Sequence, residues 1–482
     1  MRSTKFIISL AFLFFSLNYL MAQKAVRTEV IILHTNDMHA KIDNLPKLAY
    51  LADSLRKLHP YVFLVSAGDN FTGNPVVDMV ADKGYPMIDL MNRCHFDVSA
   101  IGNHEFDLGQ EMLQRRMDQA TFPFISCNID ASGGSIKQPQ PYVVLNAGKD
   151  IHIAFLGIIE LGLNGTPDSH PSKLTGLKFT NGLEKAKEFA SLKEKYGILI
   201  GLTHLGIDDD MRLASAMPAF DLIIGGHSHT LIDTMQIVNN VPIVQAYSGL
   251  KFIGKTTLQI ENGRVVSLRN ENIPTASLKK ADPEMMKLLD SYNNNEDLKK
   301  VAGFAEAPLT GGDELGSLLT DAITHRMNID FAFMNAGGIR SSEIPQGDIT
   351  YKVVYKLDPF GNLVVLFSMK LDEIRSLLRN SYNRAKSIDL LPSGMTYKVV
   401  TDASGNCTDV VMMDLAGKPL SPAKEYAVGM NSYVAASYKF DHTDPGTATS
   451  MTTAQILIEY LLEVHRVNYK GSRRVSMDQT AK

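Results

Sequence analysis

Short runs of apolar residues alternate with polar loops and helix-like stretches along the first half of the chain. The runs fall between Glu29 and about Leu268 and are rich in Val, Ile and Phe. Helix-like stretches such as LPKLAYLADSLRKL and GLEKAKEFASLKEKY lie between several of them. Because the runs are apolar at consecutive positions, they predict strands buried on both faces, as in an α/β layered domain. The runs are VIIL, YVFLV, FDVSAI, IHIAFLGI, YGILIGL, FDLIIGG and VPIVQA.

The pattern changes after a polar helical segment, ADPEMMKLLDSYNNNEDLKK. Beyond it, LGSLLTDAITHRM predicts a helix, IDFAFMNAGGIR a strand that runs into a glycine-rich loop, and TYKVVTDASGNCTDVVMMD a hairpin. These features predict a second, smaller α/β domain with mixed strands. A length of 482 residues also favours two domains, because single cores stop growing near ~250–300 residues. The predicted segments are a signal peptide (1–22), a first domain (23–275), a linker helix (276–300), a second domain (301–475) and a tail (476–482).

The N-terminus has the features of a secretory signal peptide. MRSTKF carries two positive charges, FIISLAFLFFSLNYL is an apolar run, and Ala22 supplies a small residue near a cleavage point. The run is shorter than the ~20 residues that normally span a bilayer, which favours cleavage over an uncleaved anchor. We therefore expect a periplasmic or secreted protein with no stable membrane span after cleavage.

Composition narrows the classes of partner. Apolar residues make up 45% and charged residues 21% of the chain, as in soluble globular proteins. The net charge of −4 leaves no basic surplus, so we expect no nucleic acid polymer as a partner. Cys94, Cys127 and Cys407 are too few and too scattered to predict a disulfide framework or a thiolate metal cluster.

Polar side chains follow five of the predicted strands directly. In open α/β sheets, ligands bind outside the carboxyl ends of the strands, so strands that share a sheet would bring these side chains to one edge. Any one of them alone is explained by a turn or a surface histidine, but their joint occurrence favours a shared site. The residues are Asp37 and His39, Asp69, the GNHEFD segment with Asn103, His204, and His227 with His229.

The donor atoms in this set are nitrogen and oxygen, without cysteine. Such a set suits divalent ions, with Zn, Mn, Fe, Mg and Ca all conceivable. The set exceeds the needs of one four-coordinate ion but suits two ions that share a carboxylate. Asp69, alone in its loop, is the natural bridge.

The order DMH, GDN, GNHEFD, TH and GHSH resembles the calcineurin-like metallophosphoesterase family. With HTNDMHA at the start and NAGGIR and DPFGN later, the chain resembles the bacterial and animal 5′-nucleotidases over nearly all of its mature length. The resemblance implies a dinuclear metal site in a four-layer α/β sandwich, followed by a smaller mixed α/β substrate domain joined by a helix. It thus identifies the first domain as the metallophosphoesterase domain and the second as the 5′-nucleotidase C-terminal domain.

The resemblance also implies a role for each residue of the site. The first ion would be held by Asp37, His39, Asp69 and His229, and the second by Asp69, Asn103, His204 and His227. Some relatives carry Gln where His229 stands. The histidine departs from them but still offers a ligand atom at this position. His104 would face the substrate as an electrophile or acid, with Asp107 orienting and charging its ring and Glu105 fixing the loop. The alternative for His104 and Asp107 is a helix N-cap arrangement.

The implied activity is hydrolysis of nucleoside 5′-phosphates to nucleoside and phosphate, with two divalent cations (Zn, Mn, Mg or Ca). Such ions lower the pKa of water from ~15.7 to about 7 and neutralise charge on the phosphoryl oxygens. Alternatives are a 2′,3′-cyclic nucleotide phosphodiesterase or UDP-sugar hydrolase and, from another class, a non-catalytic surface binding protein on the same fold.

Substrate binding is expected from the second domain. Asn335 and Arg340 lie on its glycine-rich loop, and the resemblance implies that Phe360 and Tyr433 sandwich a nucleobase. Without the resemblance, the preferred interpretation is that Phe360 is a core residue and Tyr433 a loop residue, with no role in binding. Two departures from the family weaken the prediction of nucleotide selectivity. The family often has an Arg several residues before the glycine that corresponds to Gly316, but EAPLTGGDELG contains none, and Lys439 stands near the position where the family often has an acid.

Overall fold

The computed structural model describes residues 27–162 and 164–479. They form an α/β domain followed by a mixed α/β domain, as the sequence predicts. The predicted signal peptide, 1–22, lies outside the described residues. None of the helices within the described ranges has the length and apolar character needed to cross a membrane.

The first domain contains two six-stranded sheets. In the order β14-β13-β1-β2-β3-β4, the strands from β1 to β4 are parallel and β13 and β14 form an antiparallel edge. In the order β11-β12-β10-β9-β7-β6, the four central strands are parallel. The bounds are Thr28–Thr35 (β1), Val62–Ser66 (β2), Val98–Ala100 (β3), Phe124–Ile125 (β4), Ile129–Asp130 (β5), Tyr142–Asn146 (β6), His152–Ile159 (β7), Lys178–Phe179 (β8), Gly197–His204 (β9), Leu222–Ile224 (β10), Gln236–Val238 (β11), Val241–Val244 (β12), Phe252–Glu261 (β13) and Arg264–Pro274 (β14).

Alternation along the strands gives the domain its layers. Val30 and Ile32 of β1 share a core with β7, β9 and β10 of the other sheet, so the two sheets pack face to face. Ile31 and Leu33 point the other way, into a core with α1, α3 and α4. A third core joins the outer face of the second sheet to α5, α6 and α7. The helices are Leu45–Leu58 (α1), Pro75–Asp78 (α2), Tyr85–Arg93 (α3), Gln110–Gln119 (α4), Gly182–Lys187 (α5), Leu192–Tyr196 (α6) and Ile207–Ala216 (α7), which completes the predicted four-layer sandwich.

The predicted linker contains two short helices, Pro283–Asn293 (α8) and Glu296–Lys299 (α9), where the sequence predicted one. The helix ends in a run of asparagines, whose side chains compete for backbone hydrogen bonds. The Asn295 side chain accepts a hydrogen bond from the Asp297 amide and so caps the second helix. Leu289 of α8 is buried in the core of the first domain, which fixes the linker to that domain.

A five-stranded mixed sheet, in the order β21-β17-β24-β20-β25, forms the centre of the second domain. Ala332 and Met334 of β17 face a core with α10 and α14, whereas Phe331 and Phe333 face a core with α12 and the predicted hairpin, β22 and β23. The strands are Val301–Ala305 (β15), Leu309–Thr310 (β16), Phe331–Asn335 (β17), Glu343–Ile344 (β18), Gly347–Thr350 (β19), Leu363–Lys370 (β20), Leu390–Ser393 (β21), Met395–Thr401 (β22), Cys407–Asp414 (β23), Glu425–Asn431 (β24), Thr447–Thr452 (β25), Arg466–Val467 (β26) and Val475–Gln479 (β27); the helices are Gly311–Met327 (α10), Tyr351–Leu357 (α11), Leu371–Ala385 (α12), Ser432–Ser437 (α13) and Thr453–Val464 (α14).

Regular structure continues into the segment that the sequence predicted as a tail, 476–482. Its described part belongs to β27, which pairs in parallel with β22 from Val475 to Gln479. The strand forms because β22 has one free edge beside its hairpin partner, and β27 satisfies the backbone groups along that edge.

Candidate metal centre between the two domains

The predicted polar side chains gather at the carboxyl ends of the two facing sheets. β1, β2 and β3 of the first sheet and β9 and β10 of the second end at the same side of the domain, and His204 is the last residue of β9. The ligating atoms form three overlapping groups, each within 4.8 Å. These groups are Asp37 with His39 and His229, Asp69 with His204 and His227, and His39 with Asp69 and His104.

The first group centres on two imidazoles. Nε2 of His39 lies 2.9 Å from Nε2 of His229, and Nε2 of His229 lies 3.4 Å from a carboxylate oxygen of Asp37. Asp37 and His39 are buried, whereas the His229 side chain is 36% exposed and faces the cavity described below. Three donors thus converge on one point from two different loops.

Asp69 lies between this group and the next. Its Oδ2 is 3.0 Å from Nε2 of His204 and 4.0 Å from Nε2 of His39. The amide oxygen of Asn103 completes the second group, 3.2 Å from Nε2 of His204 and 3.1 Å from Nδ1 of His227. The two groups therefore meet at one carboxylate, and all seven predicted ligands lie in this one cluster.

The backbone of these loops is in an unusual conformation. Five of the seven residues have left-handed φ angles: Asp37 (51°), His39 (47°), Asp69 (54°), His227 (73°) and His229 (53°). A non-glycine residue in this region is destabilised by ~1–3 kcal/mol and persists only where the surroundings hold it, which is typical of functional sites. Gly102 permits the close approach of two loops, because a Cβ there would lie 2.3 Å from Oδ1 of Asp69.

Glu105 links the loop that carries Asp69 to the loop that carries Asn103. Its buried carboxylate accepts hydrogen bonds from the backbone amides of Asp69 (2.9 Å), Asn70 (2.7 Å) and Gly102 (2.6 Å). Burial and the nearby Asp69 raise the pKa of Glu105 to about 7. Its position agrees with the interpretation that Glu105 fixes the loop.

Mutual proximity changes the proton affinity of the histidines. Burial opposes the charged form of His204, but the carboxylate of Asp69 outweighs it and raises the pKa to about 10. Burial and the neighbouring His204 lower the pKa of His227 to about 4. Burial and Arg340 hold the pKa of His39 well below its ordinary value. The neutral imidazoles of His39 and His227 are in the form that binds a cation.

His104 and Asp107 form a close pair next to Asp69. Nδ1 of His104 lies 2.6 Å from Oδ2 of Asp107, and Nε2 points toward Asp69 at 3.9 Å. Burial lowers the pKa of His104, but the carboxylates of Asp107 and Asp69 outweigh it and raise the pKa above the ordinary value. Asp107 does not cap the next helix, because α4 begins at Gln110 with Gly109 at its N-cap. The alternative of an N-cap arrangement is therefore wrong.

A cavity of about 690 Å³ lies between this centre and the second domain. All four predicted substrate residues line it, but with different contacts. Nη2 of Arg340 is 3.1 Å from Nε2 of His39, and the Phe360 ring lies nearly parallel to His104 at 5.7 Å. The Asn335 amide oxygen accepts a hydrogen bond from Asn431 (2.8 Å). Phe360 therefore covers His104, and Arg340 covers His39.

The rest of the cavity wall contains residues that the sequence did not single out. The Tyr433 hydroxyl donates to Oδ1 of Asp168 (2.6 Å), and Nη2 of Arg384 lies 3.0 Å from the same oxygen. Tyr438 and Asp389 are hydrogen-bonded to each other and also line the cavity. Asp168 lies well beyond the end of β7 and Arg384 lies on α12, so strand-end polarity, the signal that found the metal centre, marks neither.

The two departures from the family pattern, the Arg missing before Gly316 and the Lys at 439, can be compared with the residues that line the cavity. Lys439 is exposed, and its backbone carbonyl accepts a hydrogen bond from Asn380 (3.0 Å), so it belongs to the outer surface. The cavity nevertheless contains an arginine and an acid, Arg384 and Asp389, from another part of the chain.

Comparison with known proteins agrees with this architecture. Residues 30–231 match the family model of the calcineurin-like phosphoesterases, and residues 298–441 match that of the 5′-nucleotidase C-terminal domain. The chain is 29% identical to protein UshA of Salmonella pullorum and 29% identical to a 5′-nucleotidase of Vibrio cholerae, in each case over 90% of both proteins.

Solved structures agree on the fold. The crystal structure of a 5′-nucleotidase precursor from Thermus thermophilus superposes with a TM-score of 0.82 at 24% identity, covering 93% of this chain and 99% of that one. Both family matches occur in one chain, the phosphoesterase match first, and the 5′-nucleotidase of Vibrio cholerae aligns with 90% of the chain. The chain therefore belongs to the 5′-nucleotidase family of metal-dependent phosphomonoester hydrolases, with a calcineurin-like phosphoesterase domain followed by a 5′-nucleotidase C-terminal domain.

Proposed function

We propose that this chain is an exported enzyme that hydrolyses nucleoside 5′-phosphates to nucleoside and phosphate at a site for two divalent cations. One observation carries the proposal: two groups of donors meet at Asp69, directly beside the His104–Asp107 pair and beneath a cavity lined by the second domain. The signal-like residues 1–22 support export.

The donor set fits two cations. Carboxylate, imidazole and amide donors in buried loops suit Zn, Mn, Mg or Ca. Asp37, His39, Asp69 and His229 would hold one ion, and Asp69, Asn103, His204 and His227 the other. Bound divalent ions would supply Lewis-acid activation of water and neutralise charge on the phosphoryl group.

The residues of the chain have complementary roles around that centre. His104, kept charged by Asp107, would donate a hydrogen bond or proton to the leaving oxygen of the phosphoester. Arg340 stands over His39, one of the proposed metal ligands, and would therefore contact a phosphoryl oxygen rather than a base edge. Phe360, beside His104, would offer a face to the nucleoside.

The experiment is a substrate panel on the purified chain, with metal analysis by inductively coupled plasma mass spectrometry. The panel contains adenosine 5′-monophosphate, 2′,3′-cyclic AMP, UDP-glucose and 4-nitrophenyl phosphate. We expect about two ions per chain, the highest kcat/KM on the 5′-monophosphate, and loss of activity with a chelator that is reversed by added metal.

Each alternative predicts a different result. Preference for the cyclic nucleotide or for UDP-glucose would replace the proposed substrate but keep the metal centre. Absence of hydrolysis on all four compounds, with two ions bound, would favour a binding protein over an enzyme.

A further inference from the structure

The loop after β7 contacts both the metal centre and the second domain, and one of its residues, Asp168, contacts both. The same loop also reaches the second domain through Asn164, whose amide donates to the Ser437 carbonyl (3.2 Å). The backbone of Asp168 belongs to the first domain: the amide donates to Oε1 of Glu160 (2.6 Å), and the carbonyl accepts from Nδ2 of Asn103 (3.1 Å). Glu160 is buried, and its own amide donates to the carbonyl of His204 (2.9 Å). The backbone of Asp168 is therefore held against two of the proposed metal ligands.

The side chain of Asp168 points the other way, into the second domain. Its Oδ1 accepts from the Tyr433 hydroxyl (2.6 Å) and from Nη2 of Arg384 (3.0 Å). Arg384 also lies 3.3 Å from the Tyr433 hydroxyl and 4.6 Å from the centre of the Tyr438 ring. Two side chains of the second domain therefore meet at this one carboxylate oxygen.

The neighbouring residue, Ser169, makes its side-chain hydrogen bond on the first-domain side. Ser169 lies within 3.5 Å of Oδ1 of Asp107, the partner of His104. The segment 168–169 therefore contacts Asn103 and Asp107 on one side and the 432–438 region on the other. No other segment among the described residues 27–162 and 164–479 has hydrogen bonds to both Asn103 and Tyr433.

The contact with Asn103 decides which end of its amide faces the centre. Because Nδ2 of Asn103 donates to the Asp168 carbonyl, Oδ1 is directed at His204 (3.2 Å) and His227 (3.1 Å). An amide turned the other way would present a donor where a cation needs an acceptor. The orientation of Asn103 thus depends on where the Asp168 backbone lies.

We propose that Asp168 is a positioning residue that couples the seating of the second domain to the orientation of Asn103. Tyr433 and Arg384 hold the Asp168 side chain when the cavity is formed, and the Asp168 carbonyl then holds the Asn103 amide. The role at the metal centre rests on the proposed function, but the coupling between the two segments does not.

The test compares Asp168→Ala, Asp168→Asn, Tyr433→Phe and the double variant Asp168→Ala/Tyr433→Phe. Asp208→Ala is the matched control, because Asp208 is an exposed carboxylate at the start of α7. The first readout is hydrogen–deuterium exchange, which needs no activity. We expect faster exchange in Asp168→Ala both in 103–107 and in 432–438, with no change in the control. A purely local role would change only 160–170, and that result would overturn the proposal.

The second readout is kcat/KM on adenosine 5′-monophosphate and 4-nitrophenyl phosphate. We expect Asp168→Ala to lose about tenfold or more on both substrates, as when a residue that orients a metal ligand is removed. Asp168→Asn keeps an acceptor oxygen and should lose less. Tyr433→Phe should lose less than Asp168→Ala, since Arg384 still holds the carboxylate.

The double variant distinguishes coupling from independent effects. If Tyr433 acts through Asp168, adding Tyr433→Phe to Asp168→Ala should cause no further loss. Losses that multiply would overturn the proposal. If the wild-type chain hydrolyses neither substrate, the proposed function fails, and the exchange experiment alone still decides the coupling.

Discussion

The two sides of the cavity are built in different ways. On the first-domain side, the donors stand at the ends of strands or in short loops directly after them, and their contacts with one another lie within that domain. On the second-domain side, Arg340, Phe360 and Tyr433 come from separate elements, and each contacts the first domain: His39, His104 and Asp168 respectively. The donors of the metal side are therefore all supplied by the first domain, whereas the substrate side, and through Asp168 the orientation of Asn103, depends on how the two domains are placed. Substitutions on the metal side should affect every phosphoester, and those on the substrate side should discriminate between substrates.

The largest effect is expected at Asp69. Asp69→Ala removes the carboxylate at which both donor groups meet, so metal content should fall at both positions. Hydrolysis of both adenosine 5′-monophosphate and 4-nitrophenyl phosphate should drop below detection, as measured by phosphate release beside mass-spectrometric metal analysis. Two ions retained per chain in the variant would contradict the shared role.

His104→Asn tests whether chemistry and metal binding are separate on the first-domain side. We expect ion content to stay unchanged while kcat falls by ~10²-fold or more, the contribution of a positioned acid. Asp107→Asn should lose less, because Asp107 acts only through the imidazole, and both losses should shrink for substrates with good leaving groups. His104 also lies within 4.8 Å of His39 and Asp69, so loss of an ion would make it a ligand instead.

Phe360→Ala tests the discrimination expected of the second-domain side. Stacking on a base is worth ~1–3 kcal/mol, so KM for adenosine 5′-monophosphate should rise by about tenfold. Hydrolysis of 4-nitrophenyl phosphate should be nearly unchanged if the ring serves only the nucleoside. Equal losses in kcat/KM on both substrates would show that Phe360 acts on His104, which it covers at 5.7 Å.

The smallest effect is expected at Lys439. The residue is exposed and outside the cavity wall, and surface substitutions usually change free energies by less than ~0.5 kcal/mol, or about twofold. Lys439→Ala should therefore leave kcat/KM for adenosine 5′-monophosphate within about twofold of the wild type. A larger loss of kcat/KM would show that Lys439 contributes to substrate binding although it lies outside the cavity wall.

The metal side could be predicted from the sequence because its geometry is local. Asp37 and Asp69 follow β1 and β2, neighbouring parallel strands of one sheet, so the strand order places them together. His204 ends β9 of the other sheet, and the face-to-face packing of the two sheets brings it to them. The helices and hairpin of the second domain follow from similarly local patterns. The substrate side could not be predicted in the same way. Asp168 and Arg384 meet across the domain boundary, and no periodicity or spacing within the chain records that contact.

Phe360 shows a second limit of sequence reasoning. The aromatic residue in DPFGN can be identified from the sequence as a candidate substrate contact. Whether its ring packs against His104 or is free to stack on a base depends on the orientation of the two domains. The same holds for Arg340, for which the sequence left open a phosphate or a base edge. Its contact with His39 favours the phosphate.

The left-handed backbone at five of the seven clustered donors has a consequence for the way in which this gene would decay. Glycine adopts that conformation without steric cost, and asparagine, aspartate and histidine adopt it more readily than other residues do. The codons for aspartate and histidine are each a single base change from those for asparagine, and aspartate is as near to glycine. In a lineage no longer under selection for catalysis, these five positions should therefore tolerate asparagine, and the two aspartates also glycine, without loss of the folded domain.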